Sequence, residues 1–92
     1  MAEPERIEEM IVRLCEARGP HKSICPSEVA RALVPDEAGW RALMPEVRAA
    51  ACRLQEQGVV DVLQRGQVVS EPRTAVGPIR LCKRRGAATP SP

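Results

Sequence analysis

The 92-residue chain has no Phe and no Tyr, and Trp40 is its one aromatic residue. Proteins that hold single-stranded nucleic acid by stacking bases need several rings, so that mode is excluded at the outset. Histidine is nearly absent too, with His21 alone. The four cysteines, Cys15, Cys25, Cys52 and Cys82, never come within CxxC spacing of one another. Neither a zinc site nor any other metal site can be assembled from that set, and the cysteines are expected as small, reduced, partly buried apolar groups. No glycine-rich phosphate loop is present, because Gly19, Gly39, Gly58, Gly66 and Gly77 punctuate helix ends and turns instead, and no cofactor is expected. Apolar runs are far shorter than the roughly 20 residues of a membrane span. The opening "MAEPERIEEM" is acidic and lacks the apolar stretch of a secretory leader, which predicts a cytoplasmic location.

Catalytic groups are equally scarce. His21 and Cys25 stand four apart and offer the one thiolate–imidazole combination. Cys25 is better explained as a helix-start residue, and no third group orients the pair. Glu8 and Glu9 are neighbours at an exposed helix start, a solvated arrangement. With no activated nucleophile and no acid/base site, the chain is not expected to be an enzyme.

What is present is an aliphatic chain, 43% apolar, with a divided charge. Residues 1–46 carry 6 Lys/Arg against 9 Asp/Glu, and residues 47–92 carry 8 against 3. An acidic half beside a basic half points to an anionic partner for the second half. The competing explanation is an ordinary mixed surface with a solvated basic tail.

Periodicity then sets out the elements. Pro4 opens a first helix, and Ile7, Met10, Ile11, Leu14 and Cys15 repeat along one face of it as far as Arg18, where Gly19 and Pro20 stop it. "HKSIC" is a short extended piece with Ile24 inward. Pro26 starts a second helix that buries Val29, Ala30 and Leu33 and ends before Pro35. Asp36 can cap a short helical segment through Trp40, Leu43 and Met44. Trp40 is expected to be mostly buried between the second and third helices. Pro45 is read as the start of the third helix, because a proline inside a helix costs about 3 kcal/mol. That helix runs to Gln57, with Gly58 as its left-handed stop. "VVDVLQ", "RG" and "QVV" form a hairpin, although Arg65 stands where a type I′ turn prefers Asn or Asp and leaves the turn type open. "IRLCK" alternates, with Ile79 and Leu81 inward and Arg80 outward. The organisation is a disordered N-terminus over residues 1–3, one domain over residues 4–83, and a disordered basic, proline-containing tail over residues 84–92.

Helix, short strand, helix, helix, hairpin, strand is the order of a winged helix-turn-helix: an α+β fold with a three-helix core and a small antiparallel β-sheet, the wing. "CPSEVARAL", "MPEVR", "QRGQVV" and "GPIRL" occur in that order, and together they resemble a family of small bacterial winged-helix proteins known only as a domain of unknown function. The resemblance covers about residues 5 to 83. It implies the fold and carries no activity. Cys25 departs from the Ser or Thr usual at such a cap, which predicts fraying at the start of the second helix.

Two functions follow. In the first, the chain binds double-stranded DNA weakly and mainly electrostatically. The third helix would bury Val47, Ala50, Ala51 and Leu54 and turn Arg48, Ala49, Cys52, Arg53 and Glu56 outward. Arg48 and Arg53 would reach phosphates or guanine edges, and Gln55 at the margin would read adenine. Arg65 at the hairpin tip, with Arg80, Lys83, Arg84 and neighbouring Arg73 and Arg85, would contact the backbone, as would Lys22. About four such contacts predict a log–log salt slope near −3.6. This reading needs hairpin and helix to form one continuous positive surface. In the second, the domain is a protein-interaction or dimerisation module with no nucleic acid, and a strip of Met10, Val12 and Cys15 on the first helix would dimerise it if exposed.

Overall fold

The computed structural model describes residues 3–19 and 22–84. Three helices carry one face of a four-stranded antiparallel sheet. Helix α1 spans Pro4–Arg18, strand β1 Ser23–Ile24, α2 Pro26–Leu33 and α3 Glu37–Glu56; then follow β2 Val60–Gln64, β3 Gln67–Val68, a single 3-10 turn at Pro72–Thr74, and β4 Arg80–Lys83. Sheet order is β1-β4-β2-β3, every neighbouring pair antiparallel. The three-helix core and small sheet form the α+β architecture that the sequence predicts. The tail predicted over 84–92 lies outside the described residues except for Arg84, as do His21, Pro20 and Arg85. Arg84 itself is folded in, its N–H donating to Val59 O at 3.1 Å.

The helices form where local chemistry favours them. α1 begins at Pro4 and buries Ile7, Ile11 and Cys15 at helical spacing, and Gly19 takes φ 107 beyond its end. α2 starts at Pro26 without fraying, because Glu28 reaches back and its Oε2 accepts the Cys25 N–H at 3.0 Å. That satisfies a donor which the first turn cannot, as the box position of Glu28 three residues after Cys25 allows, so the poor cap at Cys25 does not fray the helix.

The third helix corrects the sequence reading. The segment before Pro45 and the helix after it are one continuous helix, Glu37–Glu56, with Pro45 inside. Asp36 caps it, its Oδ2 accepting Gly39 N–H at 2.9 Å. Proline removes the N–H that would bond the Arg41 carbonyl. Pro45 and Arg41 both lie on the exposed face, where a carbonyl without its helical partner is open to solvent and the helix need not end. Gly39 lies where α3 meets the preceding loop, and a Cβ there would collide with Cγ1 of Val34. At the far end, Gly58 N–H donates to Gln55 O and Val59 N–H to Leu54 O, with Gly58 at φ 81. This is the paired closure of a Schellman motif.

The core is aliphatic: Ile7, Ile11, Ile24, Val29, Val47, Val60, Val62 and Leu81 are fully enclosed, and Ala50 and Ala51 let α3 approach its neighbours. Trp40 is half-buried rather than enclosed. It packs against the core margin with the guanidinium carbons of Arg31 and Arg41 at 4.6 and 4.8 Å from the ring centroid. Met10 and Val12 rest against the core and Cys15 is buried within it, so α1 presents no free apolar strip. The hairpin turn is now defined: Arg65 and Gly66 take φ 53 and 80, the two positive values of type I′.

Candidate functional site

The cations predicted on the third helix and the last strand are mostly occupied within the domain. Arg53 Nε donates to Glu8 Oε2 at 2.5 Å, joining α3 to α1. Lys83 Nζ lies 3.8 Å from Glu16, also on α1. Arg84 Nε donates to Asp61 Oδ1 at 2.8 Å. Arg73 holds Glu56 through two bonds, of 2.9 and 3.2 Å. That grip keeps the Glu56 carboxyl below the usual carboxylate range and raises the Arg73 guanidinium. Arg48 has no carboxylate partner among the described residues; instead it donates to Ala75 O and Gly77 O, each at 3.2 Å, and ties the loop before β4 to the helix. Cys52, expected outward, is buried. Pro72, Arg73 and Ala75 border the same hollow, and burial raises the thiol above its ordinary value.

Gln55 has a different position from a base-reading side chain. Its Nε2 donates to Val69 O at 2.6 Å, and its Oε1 accepts the Val62 N–H at 2.5 Å. Val69 N–H meanwhile donates to Val62 O at 2.8 Å. The carboxamide thus completes the rung between Val62 and Val69 and locks the hairpin to α3.

The remaining candidates lie on the sheet. Arg80 projects outward and donates from Nε and Nη2 to Ser23 Oγ and O, both at 3.0 Å. Ser23 O also accepts from Arg18, whose other amino group donates to Glu28 at 2.6 Å. Glu28 is held below its ordinary value, first by the Cys25 N–H and then by Arg18. Lys22 and Arg65 are exposed, and neither has an ion-pair partner among the described residues. Arg65 and Arg80 border one open groove of about 830 Å³, together with Leu63, Val68, Val76 and Pro78. Val68, 54% exposed, and Val76, 90% exposed, are the large hydrophobic side chains left to solvent among the described residues. Strand β3 beside this groove pairs on one side only.

The structure therefore gathers Arg65 and Arg80 at the wing, holds Arg48 to the neighbouring loop, and separates them from Arg53, Lys83 and Arg84, which sit against carboxylates. Glu8, expected to be solvated, is instead half-buried against Arg53, and Val68, Val76, Glu16 and Asp61 are not singled out by the sequence. The charge division between the halves was the available signal for the acids, and the "QVV" run was the signal for the valines.

Among the described residues no cluster of His, Cys, Asp and Glu could hold a metal ion, and no helix is long and apolar enough to cross a membrane. A family described as "Protein of unknown function (DUF3253)" matches residues 4–84. No curated protein matches the chain.

Proposed function

We propose, for a chain that belongs to the family of proteins of unknown function DUF3253, that the domain binds protein rather than reading DNA, with the edge of the wing as its contact surface. One observation carries this reading: Val68 and Val76, the exposed large hydrophobic side chains, share a single groove beside an open sheet edge. Apolar surface gathered in one place on a small domain favours association. The role is binding, with no chemical step. Four cysteines with no pair at CxxC spacing suit a reducing, cytoplasmic setting. The state of α3 supports the same reading, because Arg53 and Gln55 are engaged inside the domain and a groove-reading helix needs such groups free.

Duplex DNA stands as the second reading. Among the described residues Lys22, Arg65 and Arg80 have no carboxylate within ion-pair distance, and Arg48 donates to carbonyls alone. Four such charges on phosphates would give a log–log salt slope near −3.6. The discriminating experiment is a titration of isotope-labelled protein with random-sequence duplex at low salt, read by amide shifts. We expect the wing and α3 signals to stay in place. Shifts confined to those elements, with affinity falling at that slope, would replace the protein-binding reading with the duplex one.

A further inference from the structure

The wing edge has a register that selects its partner. Leu63 opposes Val68 across β2 and β3, and Gln64 opposes Gln67. Hydrogen-bonded and non-bonded pairs alternate along an antiparallel ladder. Val69 N–H donates to Val62 O, so that pair is a bonded one. Leu63 and Val68 are then the non-bonded pair, and the Val68 N–H and C=O point away from β2 along the open edge. One residue presents both a donor and an acceptor to whatever strand lies alongside.

The geometry points to a second copy of this chain as that strand, joined through β3 about a two-fold axis at Val68. The inference rests on the protein-binding reading and names its partner. Each Val68 N–H would donate to the Val68 C=O of the other copy, and two four-stranded sheets would become one continuous sheet. The same axis sets the turn end of one β3, Gln67–Val68, beside the exit end of the other. Arg65 lies in the turn before β3 and Glu71 just after it. Arg65 of each copy is therefore carried to the same end of the contact as Glu71 of the other, twice per dimer.

The two side chains are suited to this. Both are exposed, and neither has a side-chain hydrogen bond or ion pair among the described residues. Arg65 also holds φ 53, the left-handed conformation that a type I′ turn requires and that a side chain of its kind disfavours. An acidic peptide laid against Arg65 and Arg80 would leave Glu71 unanswered, whereas a second copy satisfies Arg65 and Glu71 together. Val68, more than half exposed, would be covered at the axis. The two-fold closes the two β3 edges on each other, so this contact joins two copies and no more.

The test follows tumbling times and sedimentation from micromolar to millimolar protein. The parent chain is expected to pass from monomer to dimer. Val68→Pro removes the outward N–H but none of the hairpin's own bonds, and it should leave a monomer whose hairpin amide signals are unchanged. Arg65→Glu and Glu71→Arg, both at exposed positions, should each weaken association about tenfold or more, and the double exchange should restore it. A chain monomeric at every concentration overturns the inference, as does a dimer indifferent to both the charge reversals and their combination. If Val68→Pro fails to fold, the charge exchange alone decides. These outcomes are separate from the duplex titration: a monomer that also ignores DNA removes self-pairing and leaves a different protein as the partner.

Discussion

At Gln55 one side chain substitutes for a piece of backbone. Its amide has one donor edge and one acceptor edge, and it uses them on Val69 O and Val62 N–H. Gln55→Ala would leave both groups without partners at the half-buried junction of α3 and the wing. Leaving such groups unsatisfied costs about 1–3 kcal/mol, more than the net value of the bonds themselves. The urea midpoint should fall accordingly. Gln55→Glu should fall as well, because a carboxylate can still accept from Val62 but places a charge, not a donor, against the Val69 carbonyl. A Gln55→Ala chain as stable as its parent would mean that water completes the rung equally well. The role was not legible in the sequence for a physical reason: the edge that matches adenine is the same one that matches a peptide group, so residue type alone cannot choose between them. Arg48 and Arg53 present the same ambiguity. A guanidinium on a helix reads as available until the chain folds a carbonyl or carboxylate against it, and the loop at Ala75 and the first helix at Glu8 do so here.

Among the elements, α3 is where sequence and structure part. Hydrophobic spacing gave its buried stripe correctly, and Val47, Ala50, Ala51 and Leu54 are all buried. Its start was missed because proline was taken as a boundary. The penalty of an interior proline depends on which carbonyl it strands, and Arg41 is exposed. Pro45→Ala makes the point measurable. It restores an N–H that can donate to the Arg41 carbonyl, part of an interior penalty of about 3 kcal/mol. It also frees the unfolded chain, which opposes the gain by about 0.4–1 kcal/mol. Part of the penalty is already relieved by solvent, so a net stabilisation of roughly 1–2 kcal/mol is expected, seen as a higher thermal midpoint. No gain would mean that the proline geometry serves the placement of Trp40 and Leu43 in the turn before it. Strands were easier to read, because Val60, Val62, Ile79 and Leu81 show their inward positions by alternation or enclosure. The hairpin turn was not, since an Arg at φ 53 defies the preference from which turn type is inferred.

Across the whole molecule, the acidic and basic halves answer each other. The sequence presented that division as a sign of an anionic partner. The first helix supplies part of the answer, with Glu8 on Arg53 and Glu16 on Lys83. Composition reports how much charge there is but not where it closes, which is why the fold was legible while the free part of the surface was not. The same charges and thiols set how stability should vary with pH. Glu28 and Glu56 are held below their ordinary values when folded. A depressed folded value means stability that is present above the unfolded carboxyl value, near 4.3, and lost as pH falls through the folded one. At the other extreme Cys15, buried between α1 and the sheet, is pushed up to about 12 mainly by burial. A raised folded value means stability fully present below the unfolded thiol value, about 8.5, and lost as pH climbs toward 12. At about 1.4 kcal/mol per unit, the alkaline loss is larger than any single exposed carboxylate can give in acid. The chain has no Tyr to confuse that limb. Denaturant midpoints measured across pH should therefore show a plateau through neutrality, a shallow acid decline beginning below about 4.3, and a steeper decline above about 8.5. Cys15→Ala should lower the plateau, through a lost buried side chain, and flatten the alkaline limb alone. If that limb is unchanged in the variant, Cys15 is not what ionises, and the Cys52 thiol, also raised by burial, carries the alkaline loss instead.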